Sequence, residues 1–299
     1  MATQEQIVPA TKAAVRTKSR AQQRERWGKI GRYVAVVIVV FIALAPLYWT
    51  FVTSIKGGVE INSSPPTLYP HTVAGTNYEA LTSSPYFVPD LKNSLIIATI
   101  TTVLALLLGS ICAYALARTK FRGKFLVLTI VLSVNMFPFI AMVGPLFVIF
   151  TQPNFNIYNT YAALIIPDLV ITLPITVWFL NTFFQDLPPD LEEAARVDGC
   201  TRLGALWRIV LPLTAPGFFA AAILSFIAVW NDFLFGISLT ADESAQPVTV
   251  AISRFNGEHV IAYGQLAAAA IVVTIPLVIL VLILQRRIVS GLTAGAVKG

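Results

Sequence analysis

The chain has 299 residues, of which 56% are hydrophobic and only 12% are charged, and its formal net charge is +6. Soluble domains contain about 25% charged residues, so this composition excludes an ordinary soluble protein and indicates a membrane protein. The sequence contains no Walker A or dinucleotide-binding motif. Its two cysteines and two histidines lack the spacing of metal ligands, so no metal, cofactor or catalytic site is predicted.

The chain begins with a polar, basic segment, residues 1–32, which is predicted to be a mostly disordered cytoplasmic tail. Six apolar stretches follow, each long enough to cross a bilayer core of about 30 Å as a helix. They are residues 33–54, 94–117, 125–150, 158–184, 213–235 and 265–285. None has the strict alternation of a membrane β-barrel. The sequence therefore predicts an all-α integral membrane protein with six transmembrane helices.

The lysines and arginines predict the orientation of these spans. Eight lie in 1–32, four in 118–124, three in 185–212 and three in 286–299, whereas 55–93, 151–157 and 236–264 contain two, none and one. High and low counts alternate along the chain, so both termini and the loop 185–212 are predicted to be cytoplasmic. This distribution also accounts for the positive net charge without a nucleic-acid partner.

The loop 185–212 is predicted to contain two short helices. Asp190 and Glu193 have the spacing of a capping box at the start of the first helix, and Gly199 suits the left-handed position that ends it. Thr201 can cap the second helix, in which Leu203, Leu206, Trp207 and Val210 have the spacing of one apolar stripe. A short helix with the small residues Ala194 and Ala195 suits docking in a partner's groove. A helix lying on the membrane surface is the alternative, although the acidic residues of the loop disfavour contact with an anionic leaflet.

The same loop carries a recognisable pattern, which is Glu193-Ala194-Ala195, then Gly199 after three intervening residues, and then Ile209-x-Leu211-Pro212. This pattern resembles the EAA motif of the permease subunits of importer-type ABC transporters. The segments "WNDF" (230–233) and "GLTAGAVKG" (291–299) are similar to the maltose-type sugar permease. The resemblance assigns 90–285 to the core permease domain, preceded by the first transmembrane helix and outer loop (33–89) and followed by a cytoplasmic tail (286–299).

The resemblance implies a type I ABC importer permease fold and a role in sugar uptake across the bacterial cell membrane. It implies that Glu193 makes polar contact with an ATPase subunit, that Ala194 and Ala195 permit close approach, and that Gly199 makes the turn. It also implies that Ile209, Leu211 and Pro212 anchor the second helix to the membrane domain. The tail residues Gly295, Val297 and Lys298 are implied to contact the ATPase subunits. It also implies the partners: a second, non-identical permease, two ATPase subunits that bind ATP and Mg²⁺, and an external solute-binding protein. The tail and "WNDF" favour an α-linked disaccharide such as trehalose or maltose, with another small solute as the alternative.

Several polar residues inside the spans are candidates for the substrate pathway, because an ionisable group in a span must face a cavity or a partner. Asp168 is the clearest, since Pro167 and Pro174 are predicted to interrupt its span. The other candidates are Asn135, Trp230, Asn231 and Asp232. For each of them a structural hydrogen bond or an interfacial aromatic position is the alternative. A membrane enzyme is disfavoured because no cluster of acids, bases or metal ligands is found near one interface, and a passive channel would leave the docking loop unexplained.

Overall fold

The computed structural model describes residues 11–255 and 261–296, with side chains described for 25–255 and 261–285. The secondary-structure elements of these residues are helices, and isolated bridge positions occur at Lys56 and Val73, which pair antiparallel, and at Ile261. In chain order the α-helices are α1 (Thr11–Ser54), α2 (Gly58–Ile61), α3 (Thr76–Ser83), α4 (Phe87–Arg118), α5 (Lys124–Ser133), α6 (Ile140–Phe150), α7 (Tyr161–Gln185), α8 (Asp190–Val197), α9 (Arg202–Ala205), α10 (Leu211–Leu213), α11 (Ala215–Trp230), α12 (Leu234–Leu239), α13 (Val248–Ser253) and α14 (Tyr263–Ala296). A 3₁₀ turn (Val134–Met136) follows α5, and a π-helical turn (Leu206–Val210) joins α9 to α10.

Helices α1, α4, α7 and α14 are each long and apolar enough to cross a membrane unbroken. The predicted third span is not one helix, because Lys124–Met136 and Ile140–Phe150 meet at 90°. Pro138 lies at this break, where its missing N–H and fixed φ prevent the helix from continuing. A second pair, Arg202–Leu213 and Ala215–Trp230, meets at 86°. Counting each bent pair as one span gives the six predicted crossings, and the span predicted at 125–150 is a bent pair of helices.

The expectation of disorder in the basic segment 1–32 is also wrong for much of its length. The segment is helical from Thr11 and continues without a break into the first span, while residues 1–10 lie outside the described part of the chain. Alanine, arginine, lysine, glutamine and glutamate dominate this segment, and all of them favour helix. A polar composition therefore does not by itself indicate the absence of a helix.

The centre of the molecule is formed by α4, α7 and α11, which pack against one another with small residues at the contacts. A Cβ atom at Gly109 of α4 would lie 2.8 Å from the Thr176 methyl group of α7. A Cβ atom at Gly217 of α11 would lie 2.3 Å from the ring of Phe183. Small residues let helix backbones approach closely, which is the main source of helix association in lipid.

Helix α7 contains Pro167 and Pro174 but remains a continuous helix over 25 residues. The predicted interruption of this span is therefore not found. Both prolines are buried, and the helix packs against α4 and α11 along its length. Neighbouring helices can hold a proline-containing transmembrane helix together, because they compensate for the missing backbone hydrogen bonds. The hydroxyl groups of Thr176 and Ser225 add a hydrogen bond of 2.9 Å between α7 and α11.

We expect Gly109→Leu to destabilise the protein, because the larger side chain has no room beside Thr176 and overpacking typically costs about 1–3 kcal/mol. Gly144→Leu is the matched control, since a Cβ atom at Gly144 meets nothing within 4 Å. Thermal unfolding of the two purified variants should show a lower Tm for Gly109→Leu only. Equal Tm values would show that α4 and α7 do not approach as closely as described.

Candidate functional site

The loops meet at two ends of the helical domain, as their charges predict. At the end with few basic residues, Asn159 lies between the loop that follows α6 and the loop that follows α12. Its Nδ2 donates to Asp242 Oδ1 at 2.9 Å, and its Oδ1 accepts from the amide of Ala241 at 2.8 Å. At the opposite end, the basic loop after α4 meets α8, with Arg118 Nε 3.1 Å from Glu192 Oε2.

The outer end of α4 is bonded to the same outer loop. Asn93 Nδ2 donates to the carbonyl oxygens of Glu243 and Gln246 at 2.8 and 3.0 Å. Ser94 Oγ accepts from the amide of Val248 at 2.8 Å. Hydrogen bonds from the side chains of Ser244 and Asn159 lower the pKa of Asp242 to about 2, because they favour its ionised form. The described outer loop is therefore fixed to α4 and to the loop before α7.

At the cytoplasmic end, α8 and α9 form the predicted pair of short helices. Gly199 separates them with φ +89°, which confirms the left-handed position. The hydroxyl of Thr201 accepts from the amide of Gly204 at 3.0 Å, which confirms the predicted cap of the second helix. The capping box is not formed: Pro189 occupies the N-cap position of α8, and no side chain caps it. Pro189 takes a helical backbone conformation, so Asp190 is already inside the helix and cannot act as its cap.

The motif residues of α8 face in different directions. Glu193 and Ala194 are exposed, whereas Ala195 is only 6% exposed and its side chain is covered by the chain itself. The carbonyl oxygen of Ala195 accepts from the amide of Cys200 at 2.9 Å, which closes the turn toward α9. The two alanines thus have separate surroundings, and only Ala194 is open to a partner surface in this chain.

The predicted apolar stripe of the second helix divides in two. Leu206 and Val210 are buried, but Leu203 and Trp207 are exposed. The cause is the π-helical turn over Leu206–Val210, because its wider turn changes the faces on which successive side chains lie. Within the motif, Leu211 is buried, Ile209 is half-buried and Pro212 is exposed. The end of the motif is therefore anchored in the helical domain mainly through Leu211.

Glu192, which precedes the motif, was not predicted as a site residue. It is buried, accepts a hydrogen bond from the hydroxyl of Tyr114 and is paired with Arg118, so it joins α8 to the cytoplasmic end of α4. Nη1 of Arg118 also donates to the carbonyl oxygen of Leu187 at 3.1 Å. The only sequence signal for this role was the pair of consecutive glutamates, 192 and 193. Consecutive residues of a helix face different directions, so the two glutamates could not both face a partner.

Comparison with known proteins decides the family. The model of the "Binding-protein-dependent transport system inner membrane component" family matches residues 105–293, a segment that includes the whole α8–α9 loop. The chain belongs to this family of ABC importer permeases. It is thus a multi-pass protein of the cell membrane and a transport subunit rather than an enzyme, with ATP hydrolysis on partner chains.

The permease has close curated relatives. It is 44% identical to the trehalose transport system permease protein SugB of Mycobacterium tuberculosis, over 88% of this chain and 95% of that protein. It is 41% identical to the trehalose/maltose transport system permease protein MalG of Thermococcus litoralis, over 89% and 95%. It is 38% identical to the sulfoquinovosyl glycerol transport system permease protein SmoH of Agrobacterium fabrum, over 91% and 95%.

The fold of the permease also agrees with a solved structure. A chain from the crystal structure of a bacterial ABC transporter that imports the acidic polysaccharide alginate superposes with a TM-score of 0.74. The superposition covers 88% of this chain and 97% of that chain at 20% sequence identity. The type I importer permease fold predicted from the motif is therefore confirmed.

The candidate pathway residues of the permease have diverse surroundings. Asp168 is 4% exposed, and its Oδ2 atom has no hydrogen-bond partner among the described residues. Asn135 is exposed in the 3₁₀ turn at the bend of the third span. Asn231 is exposed and donates to the carbonyl oxygen of Ile227 at 2.7 Å, which ends α11.

The last two candidates, Trp230 and Asp232, contact other groups of the permease itself. Trp230 is only 2% exposed and stacks on Phe226 with ring centroids 5.5 Å apart, so its ring is not open to a sugar in this conformation. The carboxylate of Asp232 accepts from the amides of Phe235 and Gly236 at 3.3 and 3.1 Å, at the start of α12. In the tail, Gly295 lies in the last turn of α14, while Val297 and Lys298 lie outside the described residues.

We expect Gly199→Val to reduce solute uptake by the assembled transporter. A β-branched residue in the left-handed conformation costs roughly 1–2 kcal/mol, so the turn between α8 and α9 would change shape. Gly199→Asn is the matched control, because asparagine tolerates this conformation far better. Uptake into membrane vesicles should decrease in the order wild type, Asn, Val. Equal uptake by the two variants would show that the backbone conformation of this turn is not needed for transport.

Proposed function

We propose that this permease forms the transmembrane pathway of an ATP-driven sugar importer, and that its substrate is an α-linked disaccharide of the trehalose or maltose type. The observation that carries the proposal is the near full-length similarity to permeases of trehalose and trehalose/maltose transport systems. The similarity to the sulfoquinovosyl glycerol permease supports a second candidate, a glycoside with an anionic group. Both candidates are small, polar, hydroxyl-rich solutes that cannot cross the bilayer unaided.

The proposed complex contains this chain, a second and non-identical permease, two ATPase subunits and an external solute-binding protein. ATP and Mg²⁺ bind to the ATPase subunits, since the sequence of this chain contains no nucleotide-binding motif. ATP binding closes the ATPase pair, and the permease converts this closure into a change between outward-facing and inward-facing states. A ligand can drive such a change only by binding one state better than the other.

The contact with the ATPase is proposed to be α8 and the turn at Gly199. The exposed Glu193 and Ala194 support this role, because a charge beside a small side chain allows polar contact at close approach. The exposed Leu203 and Trp207 of the following segment add apolar surface on the same loop. The motif residues Ala195, Ile209, Leu211 and Pro212 are proposed to hold the loop in the permease, and Gly295, Val297 and Lys298 to extend the ATPase contact from the tail.

The outer loop between α12 and α14 is the proposed contact for the solute-binding protein. Its attachment through Asn93, Ser94 and Asn159 supports this role, because a docking surface on a fixed loop loses less conformational entropy on binding. Asp242, Glu243 and Ser244 are exposed on this loop and offer polar contacts.

Asp168 is proposed as a hydrogen-bond acceptor on the substrate pathway, with Asn135 and Asn231 as further polar groups. The free carboxylate oxygen of Asp168 supports this role, since a buried polar atom without a partner is otherwise costly. Trp230 is not proposed as a sugar platform, because its ring is covered by Phe226. Asp232 is proposed to act on the pathway only indirectly, by holding the first turn of α12 beside it.

Deletion of the gene should abolish growth on its substrate and leave growth on other sugars unchanged. We expect the affected carbon source, in a panel of single sugars, to be trehalose or maltose. Radiolabelled uptake by the deletion strain and by a complemented strain measures the same loss directly. Unchanged growth and uptake for every α-linked disaccharide would refute the proposed substrate.

Glu193→Lys should reduce uptake by at least about tenfold, because it reverses a charge at the proposed contact with the ATPase. Asp186→Lys is the matched control, since it makes the same charge change at an exposed residue just after α7. Uptake and subunit co-purification should be measured together for both variants. Full uptake by Glu193→Lys, or an equal loss in both variants, would contradict the assigned role of α8.

A further inference from the structure

Glu192 and Glu193 are neighbours in α8 but have opposite surroundings. Glu193 is exposed, whereas Glu192 is buried between α8 and the end of α4. The carboxylate of Glu192 accepts a hydrogen bond from the Tyr114 hydroxyl through Oε1 and lies 3.1 Å from Arg118 Nε through Oε2. Both carboxylate oxygens thus have a partner group within the chain, and only 11% of the Glu192 side chain is exposed.

Arg118 connects more than one part of the loop. Besides its pairing with Glu192, its Nη1 donates to the carbonyl oxygen of Leu187, in the segment between α7 and α8. It is also the last residue of α4, where a positive charge interacts favourably with the helix dipole. One guanidinium group therefore joins the end of α4 to the connection before α8, through Leu187, and to α8 itself, through Glu192.

The other end of α4 is joined to the outer loop. Asn93 and Ser94 bind the backbone of that loop, and α4 is continuous between these residues and Tyr114. Asn93 and Tyr114 are separated by about 32 Å along a helix, which is the thickness of the bilayer core. Helix α4 contains no proline between them, whereas α7 contains two and the third span is bent at Pro138. A single unbroken helix thus has polar attachments to the loops on both sides of the membrane.

We propose that Glu192 is a positioning residue that makes α8 move together with α4, so that α4 transmits ATPase movements to the outer loop. The inference rests on the proposed function, since it assumes that α8 contacts the ATPase. It adds the contact by which α8 is joined to the membrane domain, which is that of Glu192 with α4. Glu193 is exposed toward the proposed ATPase contact, and Glu192 faces the cytoplasmic end of α4. If Glu192 loses its partners, the ATPase can still bind and move α8, but α4 no longer follows.

The test uses the complete transporter, reconstituted in proteoliposomes with its solute-binding protein. We expect Glu192→Gln and Arg118→Gln each to lower the number of solute molecules transported per ATP hydrolysed by about tenfold. The charge exchange, Glu192→Arg with Arg118→Glu, should restore this ratio to within about threefold of wild type, because it rebuilds an ion pair. Asp186→Asn, a neutralisation at an exposed residue outside the network, should leave the ratio unchanged.

Two further measurements separate coupling from folding. Tyr114→Phe removes one hydroxyl group and should give a smaller loss of the same ratio, even if the charge variants assemble poorly. Hydrogen exchange in the nucleotide-free complex should become faster at the amides of α8 in Glu192→Gln while those of α7 stay protected. An unchanged transport-to-ATP ratio in Tyr114→Phe and Glu192→Gln would overturn the inference, and so would a charge exchange no better than its single variants.

The inference and the proposed function can fail separately. A wild-type complex that transports none of the α-linked disaccharides would refute the proposed substrate. Hydrogen exchange at α8 would still test whether Glu192 joins α8 to α4. The other case is a wild type that transports sugar while Glu192→Gln keeps the wild-type rate of hydrogen exchange and the wild-type ratio of transported solute to hydrolysed ATP. That result refutes only the proposed role of Glu192.

Discussion

Lipid offers no hydrogen-bond partners, and this constraint decides where polar groups lie throughout the permease. Several threonine hydroxyls inside the spans donate to carbonyl oxygens of their own helix, as Thr172 does to Asp168 at 2.8 Å. The Thr176–Ser225 pair satisfies two hydroxyl groups across a helix contact. Some buried polar atoms, such as Oδ2 of Asp168 and both carboxylate oxygens of Asp90, have no hydrogen-bond partner among the described residues, and each such atom is costly to bury.

The same constraint concentrates polar interactions at the two ends of α4. Asparagine and serine bind the outer loop at one end, and an arginine and a tyrosine hold Glu192 at the other. Between these ends α4 packs closely on α7 and α11 through Gly109 and other small residues. A helix that is rigid, closely packed and bonded at both ends is suited to carry displacement across the bilayer. The bent third span and the bent entry to α11 are less suited to this task.

Much of the fold followed from the sequence, because the length of an apolar run and the distribution of basic residues depend on simple physical limits. The number of spans, the pairing of loops by side, the turn at Gly199 and the cap at Thr201 were predicted correctly. The bend between α5 and α6 was not predicted. An apolar run does not reveal whether a proline such as Pro138 is accommodated within a continuous helix or breaks it. Pro174 shows the opposite outcome, since its neighbours hold α7 continuous.

The motif that forms the site could be predicted from the sequence, but the direction in which each of its side chains faces could not. Sequence spacing placed Glu193, Ala194 and Ala195 together on one short helix, yet it could not tell that Ala195 turns inward. Nor could it identify Glu192, whose partners Tyr114 and Arg118 are more than seventy residues away in the sequence and come close only through packing. Tertiary contacts decided these directions, and so did the π-helical turn that exposes Leu203 and Trp207.

The account is tested most directly by crosslinking from single cysteines on α8 to the ATPase, in a background with Cys112 and Cys200 replaced by serine. Ala194→Cys, on the exposed face, should crosslink to the ATPase subunit in the assembled transporter, whereas Ala195→Cys, on the buried face, should not. Crosslinking from Ala195→Cys in place of Ala194→Cys, or from neither position, would contradict the claim that this face of α8 is where a separate motor moves the permease.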